Sequence, residues 1–93
     1  MTESRTWQTK IAGPARRALE KELPENVAWA ACTFITKRLP INPRRLGGAL
    51  NDPYDGILSA HLGTYRVVYR IEEENHTVYV LAVRLRGDVY GIR

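Results

Sequence analysis

From Arg5 to Ile11, polar and apolar side chains alternate along the chain. Trp7, Thr9 and Ile11 fall on one side of an extended backbone, and the residues between them are polar. A period of two is typical of a half-buried strand. The pattern therefore predicts a short first strand in this segment.

After this strand the apolar positions recur at helical spacing. A first amphipathic helix is predicted from Pro14 to Leu23, because proline suits a first helical turn and Pro24 would end the helix. A second helix is predicted from about Pro24 to Arg38. Its apolar stripe consists of Val27, Ala31, Phe34 and Ile35. Since almost no linker separates the two helices, they are expected to form a hairpin.

Two further residues of the second helix lie beside this stripe. Trp29 falls away from its centre, and we interpret it as packing at the edge of the core, with exposure to a partner as the alternative. Cys32 is interpreted as a small buried thiol rather than a nucleophile. As the single cysteine it forms no intramolecular disulfide, so an oxidising compartment is not implied.

The second half of the chain predicts strands. Residues 40–43 contain two prolines and form a stiff connector, and residues 44–48 are expected to continue it as a loop with a flexible glycine bend. A weak strand over 57–61 precedes two strong strands at 63–71 and 78–83, which a polar turn joins. The expected fold class is α+β: an N-terminal strand, a two-helix hairpin and an antiparallel meander, with the helices packed on one sheet face.

The two strong strands carry arginines among β-branched and aromatic residues. If the alternation is regular, one face should pack on the helices, and it carries Tyr65, Val67, Tyr69, Ile71, Tyr79, Leu81 and Val83. The opposite face would then carry Arg66, Val68, Arg70, Val78, Val80, Ala82, Arg84 and Arg86. A bulge between Val83 and Arg86 would reverse the last residues.

The arginines of this second face are candidates for binding phosphate. A guanidinium is always charged and bonds two phosphate oxygens at once, which suits Arg66, Arg84 and Arg86 at the edge of a shallow floor. For Arg70 the preferred interpretation is an ion pair with the nearby Glu72 or Glu73.

Length and charge limit the classes of function. A chain of 93 residues predicts one domain, 1–93. The net charge of +4 permits nucleic acid, an acidic protein or an anionic membrane as partner without choosing among them. No apolar run approaches the ~20 residues of a membrane span, and the amino terminus lacks a signal segment, so a cytoplasmic protein is expected. Two histidines and one cysteine without ligand spacing indicate neither metal nor cofactor.

Four segments in order carry a resemblance to a known family. They are Leu23-Pro24-Glu25, residues 42–47 (NPRRLG), residues 63–69 (GTYRVVY), and residues 80–86 with 88–90 (DVY). With this set the chain resembles the RelE/ParE superfamily of toxins from type II toxin–antitoxin systems, and the RelE branch more closely. The resemblance implies a twisted antiparallel sheet under two helices, and a toxin that cuts mRNA in the ribosomal A site without metal.

The resemblance also implies roles for single residues. Arg66 matches the arginine that holds the phosphate, and Arg86 matches the arginine at the end of the next strand. Tyr90 matches the C-terminal tyrosine that orients or deprotonates the attacking 2′-hydroxyl. His61 lies where the family often has a basic residue, and it is either a proton donor or base, since histidine exchanges protons near neutral pH, or an inert surface residue.

Further contacts and partners are expected on the same grounds. Arg84, Arg45 and Arg44 are candidates for binding RNA phosphates. The expected partners are an antitoxin protein, the ribosome and mRNA, with no membrane. The chain departs from the family pattern at several positions: the strand before Arg66 has no lysine, Thr64 stands where aspartate is frequent, and Leu85 stands where a basic residue is common. The alternatives are a ParE-like, non-nucleolytic poison of DNA gyrase and a catalytically weakened toxin that acts as a co-repressor with its antitoxin.

Overall fold

The structure is a computed structural model that describes residues 6–49 and 56–85. These residues form a five-stranded sheet with two long helical segments. The strands are β1 (Gln8–Ile11), β2 (Gly48–Ala49), β3 (Ile57–Leu62), β4 (Tyr65–Glu72) and β5 (Thr77–Leu85). Their order across the sheet is β1-β5-β4-β3-β2; β1 runs parallel to β5 and every other pair is antiparallel.

Both long helices begin as α-helices and end as wider π-helical turns. The helix α1 (Gly13–Arg17) continues through Ala18–Glu22, and α2 (Glu25–Thr33) continues through Phe34–Arg38. A π turn is defined by a hydrogen bond between residues five positions apart. Such a bond closes each segment: the N–H of Leu23 donates to the carbonyl oxygen of Ala18, and that of Leu39 donates to that of Phe34, both at 2.9 Å. In the described part of the chain, no helix has the length and apolar character that a bilayer crossing needs.

The helices cover one face of the sheet, so the predicted α+β class is confirmed. The predicted stripe residues Ala31, Phe34 and Ile35 are buried. They belong to one apolar cluster with strand residues, which are Ala60, Val67, Tyr69, Val78, Val80 and Val83. This burial of apolar surface is the main force that holds the helices on the sheet.

The pairing of β4 with β5 corrects the predicted faces. Val68 pairs with Ala82 but Tyr69 pairs with Val80, so Leu81 is an extra residue in β5. Such a bulge reverses the alternation of side chains. The prediction that Val78 and Val80 share the arginine face is therefore wrong, because both are fully buried in the core.

The same bulge places Tyr79 on the arginine face, against the prediction that it faces the helices. Tyr79 lies opposite Arg70, whose guanidinium carbon is 5.2 Å from the centre of the phenol ring. Glu73, one of the two expected partners of Arg70, instead forms an ion pair with Arg44, and within residues 6–49 and 56–85 no ion pair joins Arg70 to Glu72. The preferred ion-pair interpretation of Arg70 is thus wrong, and a cation–π contact takes its place.

Two predictions on the second helix are also wrong. Trp29 is 72% exposed rather than at the edge of the core, and Cys32 is exposed rather than buried. Successive residues of an α-helix are rotated by about 100° around its axis. Because Ala31 points into the core, the side chain of the next residue, Cys32, points away from it.

The expected loop over 44–48 has regular structure. Pro43–Leu46 form a short helix, α3, and Gly48–Ala49 pair with β3 as the edge strand β2. A proline at the first position of α3 starts the turn, since its fixed φ suits a helix and its missing N–H is not needed there.

Candidate functional site

Three basic side chains form one row across the sheet. His61 on β3 pairs with Arg66 on β4, and Arg66 pairs with Arg84 on β5. Directly opposed residues hold their Cβ atoms about 4.5–5.5 Å apart, so the row spans about 10 Å. His61 and Arg84 are exposed and Arg66 is half-buried. We call this set the basic row; it brings together three of the residues predicted as functional.

A tight turn sets the register of the first pair. Gly63 and Thr64 alone connect β3 with β4. Gly63 has a φ of +67°, a backbone conformation that residues other than glycine rarely adopt. A two-residue turn with glycine first is the pattern of a type II′ hairpin, whose twist matches the strands. The turn therefore holds His61 opposite Arg66.

A cleft of about 510 Å³ opens beside the basic row. Its lining consists of Leu46, Gly47, Gly48, Ala49, Ser59, His61 and Arg66. One wall is thus the α3–β2 segment, which presents mostly backbone. This wall was not predicted, although the adjacent glycines were a signal that the backbone approaches another element closely.

Gly47 shows how closely that wall packs. A Cβ atom at this position would lie 2.5 Å from the hydroxyl oxygen of Tyr69 and 2.9 Å from the carbonyl oxygen of Ser59. Both distances are shorter than any normal contact with carbon. Glycine is therefore required here by space, while its φ of −136° is ordinary extended backbone.

Tyr69 fastens this wall to the core. Its side chain is fully buried, and its hydroxyl donates a hydrogen bond of 2.6 Å to the carbonyl oxygen of Pro43, at the start of α3. Burial raises the pKa of Tyr69 to about 12, because the phenolate would lose its hydration. The hydroxyl thus stays protonated and donates the bond throughout the physiological range.

Arg44 lies apart from the basic row. It forms an ion pair with Glu73, and its guanidinium carbon is 5.4 Å from the ring centre of Trp7. The other neighbour of Trp7 is His76, stacked with ring centres 3.8 Å apart. Glu73 lies in the turn after β4, at the opposite end of that strand from Arg66.

The remaining predicted residues are placed as follows. Arg45 is exposed on α3, and the structure does not place it in the basic row. Arg86 and Tyr90 lie outside the described residues.

A second cleft, of about 600 Å³, separates the first helix from the end of β5. Its lining includes Arg17, Glu22, Leu23, Tyr65, Arg84 and Leu85. The strand β1 pairs only with Thr77–Val80, so within residues 6–49 and 56–85 no strand pairs with this side of Leu81–Leu85. Arg84 therefore lines this cleft and also belongs to the basic row.

Comparison with known proteins identifies the family. Residues 11–90 match the family model described as the ParE toxin of the type II toxin–antitoxin system parDE. The chain belongs to the RelE/ParE superfamily of type II toxins. Among RelE/ParE relatives, it is 36% identical over 90 residues to Toxin RelE of Mycobacterium tuberculosis, covering 97% of this chain and 92% of that protein. It is 42% identical over 84 residues to Toxin RelG of the same organism, with coverage of 90% and 95%.

Solved structures of RelE toxins share the fold. The toxin–antitoxin complex RelBE2 from M. tuberculosis contains a chain that matches with a TM-score of 0.78 and 36% identity, over 88% of this chain and all of that chain. The isolated RelE toxin of E. coli matches with a TM-score of 0.69 over 90% of both chains, and its 20% identity supports the fold alone. The predicted membership in the RelE/ParE superfamily is confirmed.

Proposed function

We propose that this RelE-like toxin is a ribosome-dependent endoribonuclease that cuts mRNA and so stops translation. The basic row of His61, Arg66 and Arg84 is the observation that carries the proposal. Two guanidinium groups and an imidazole on one sheet face suit a phosphodiester, because a phosphate gains negative charge when it is attacked. Ribosome and mRNA as partners, and action in the cytoplasm, belong to the same proposal.

The proposed cleavage reaction can be carried out by amino-acid side chains that act as base, acid and phosphate ligand. The 2′-hydroxyl of one nucleotide attacks the adjacent phosphorus, and the bond from phosphorus to the 5′-oxygen of the next nucleotide breaks. A base takes the proton of the 2′-hydroxyl, and an acid gives a proton to the departing 5′-oxygen. The products are a cyclic 2′,3′-phosphate and a free 5′-hydroxyl.

The positions within the row divide these tasks. Arg66, half-buried between its two neighbours, is proposed to hold the scissile phosphate, and Arg84 to bind it from the next strand. His61 is exposed at the other end and is proposed to transfer a proton. Arg86 and Tyr90 are proposed to complete the site, as the family resemblance implies.

The arginines of α3 have a separate proposed role. Arg45 is exposed and would contact RNA phosphates from the helix α3. Arg44 would first have to exchange its partner Glu73 for a phosphate, so a smaller contribution is expected from it.

An antitoxin is the proposed protein partner, as in the RelBE complexes. The cleft between the first helix and β5 suits an acidic, partly apolar segment, since Arg17 and Arg84 lie beside Leu23 and Leu85. Such a segment would pair with the edge of β5 at Leu81–Leu85, which no strand within residues 6–49 and 56–85 occupies. By engaging Arg84 it would remove one cation from the basic row and block the site.

The second candidate function is poisoning of DNA gyrase without nuclease activity. The observation in its favour is the family model, which describes a ParE toxin and matches residues 11–90. Both functions occur on this fold, so fold alone does not choose between them.

Cleavage on programmed ribosomes tests the proposal. The toxin is added to ribosomes that hold a defined codon in the A site, and the mRNA ends are mapped. We expect the wild-type toxin to cut within that codon. Cleavage should be reduced in each of four variants: Arg66→Ala, Arg86→Ala, Tyr90→Phe and His61→Ala. The matched control is Lys37→Ala, which removes one exposed positive charge from the far end of α2.

The outcomes separate the two candidates. Intact mRNA together with trapped gyrase–DNA complexes would reject the nuclease in favour of the gyrase poison. Intact mRNA and unaffected gyrase would reject both and leave the role of co-repressor. Equal cleavage by wild type and Arg66→Ala would show that the basic row is not the site.

A further inference from the structure

The outer face of α2 carries an apolar side chain that the fold does not use. Trp29 is 72% exposed, the highest value among the large apolar residues of the described chain. Four exposed residues follow one line along this face, and we call them the outer stripe: Glu25, Trp29, Cys32 and Thr36. A large apolar side chain exposed among polar neighbours in this way is typical of a protein interface.

The hydroxyl groups on this face are already bonded within the helix. Thr36 donates to the carbonyl oxygen of Cys32 at 2.8 Å, and Thr33 donates to that of Trp29 at 3.0 Å. Each threonine therefore offers a methyl group rather than a free donor. Within the outer stripe, Thr36 thus presents its methyl group.

The spacing of the outer stripe is the same in both directions. Its members are four, three and four residues apart, so reversing the helix places Glu25 on Thr36 and Trp29 on Cys32. A two-fold symmetric interface needs such a self-complementary surface. We propose that the outer stripe binds the outer stripe of a second copy of this chain, with the two α2 helices antiparallel.

Charge favours this antiparallel arrangement. Glu25 begins α2, while Lys37 and Arg38 end its π-helical turn. In the antiparallel pair, Glu25 of each copy lies near Lys37 of the other, and the helix dipoles oppose each other. A parallel pair would instead bring like charges together at both ends.

The shape around Trp29 accommodates the second helix. A cleft of about 400 Å³ borders the indole, and Glu25 and Asn26 line its other side. In the pair, each indole packs against the small Cys32 side chain of the second copy. Tryptophan is a common anchor residue of interfaces because it buries a large area with little loss of side-chain freedom.

The interface of one helix pair is small. It falls below the ~1,200 Å² of stable interfaces, so a dissociation constant on the order of 10 µM or weaker is expected. The toxin should therefore be a monomer when dilute and a dimer at high concentration.

Cys32 provides a direct test, since it is the single cysteine. In the proposed pair the two Cys32 residues lie about 4.5 Å apart along the axis, with axes about 8–10 Å apart. A short bismaleimide reagent should therefore cross-link two full-length toxin chains. Trp29→Ser should abolish both the cross-link and the dimer seen by sedimentation. Ile41→Ser is the matched control, because Ile41 is 67% exposed but lies outside the outer stripe.

A charge exchange makes the test independent of Trp29. Glu25→Lys should weaken the dimer at least threefold, and Glu25→Lys combined with Lys37→Glu should restore it. A toxin that stays monomeric at millimolar concentration overturns the proposal, as does equal loss of dimer in Ile41→Ser. Trp29→Ser that abolishes antitoxin binding, in a toxin that never dimerises, would assign the outer stripe to the antitoxin and also overturn it.

Discussion

Arg66 and Arg84 lie directly opposite each other on β4 and β5, two cations in register on one face of the sheet. Like charges in this position oppose folding. The neighbouring pair, Val67 and Val83, explains why the sheet keeps them there, because both are buried in the core on the other face. Core packing thus sets the register, and the register forces the two arginines together.

The first prediction concerns Arg84→Gln. We expect the free energy of unfolding to stay unchanged or to rise by roughly 0.2–1 kcal/mol, because a like-charge pair is removed. Cleavage of mRNA on programmed ribosomes should fall by about 10²-fold, as expected when one group that stabilises the transition state is removed. Urea unfolding and single-turnover cleavage measure the two effects. A clear loss of stability with full activity would contradict this view of Arg84, and Lys37→Ala should alter neither quantity.

The second prediction compares adjacent glycines. Gly47→Ala should destabilise the protein by about 1–3 kcal/mol, since its methyl group would overlap the Tyr69 hydroxyl and the backbone of Ser59. Gly48→Ala is the control, because a Cβ atom there meets nothing within 4 Å. Chemical denaturation of both variants measures the difference. Similar stabilities would show that the α3–β2 wall yields easily.

The third prediction concerns Tyr69 and alkaline pH. Its pKa is about 12 in the folded protein, against 10.0 for an unperturbed tyrosine, so the folded state holds the proton more tightly. The stabilisation is complete below pH 10 and is lost as the pH rises toward 12, by about 3 kcal/mol in all. Tyr69→Phe should lack this part of the alkaline loss. At neutral pH it should be less stable by about 1 kcal/mol, because Pro43 loses its hydrogen-bond donor. Urea unfolding at a series of pH values measures both effects, and parallel pH curves would contradict the assignment.

The fourth prediction concerns the bulge in β5. Deleting Leu81 would restore regular alternation along β5. Either the residues after position 81, including Arg84, would then move to the opposite face of the sheet, or those before it would turn out of the core. Either change buries polar groups or exposes Val78 and Val80, and we expect a loss of about 4 kcal/mol or more. Leu81→Ala keeps the residue count and should cost much less. Thermal unfolding followed by circular dichroism compares them, and equal melting temperatures would refute the role of the extra residue.

The fifth prediction concerns salt. If basic side chains hold RNA, the logarithm of the ribosome association constant should fall linearly with the logarithm of salt concentration. Arg45→Ala should make that slope shallower by about 0.7–0.9 for each phosphate that the variant no longer binds. Binding measured by co-sedimentation over a salt series provides the slope. Salt-independent binding would exclude phosphate binding as the source of affinity.

Local patterns determined much of this fold. The alternation around Trp7 and Ile11 predicted β1, and the spacing of Ala31, Phe34 and Ile35 predicted the buried side of α2. The turn at Gly63 and Thr64 was not predicted, since the first of the two strong strands was expected to begin at residue 63. The ordered set of family segments identified the superfamily and singled out Arg66 and His61. The strand and the helix depend on residues a few positions apart, because helix and strand periods are local properties.

Only the tertiary structure decided which residues meet. Leu81 is recognised as an extra residue only when β5 is paired with β4. A prediction from the alternation along β5 alone therefore placed Val80 and Tyr79 on the wrong faces. The space at Gly47 depends on Tyr69, which is 22 positions later in the chain. In each case the deciding contact joins segments distant in sequence, and its geometry follows from packing the whole core rather than from any local pattern.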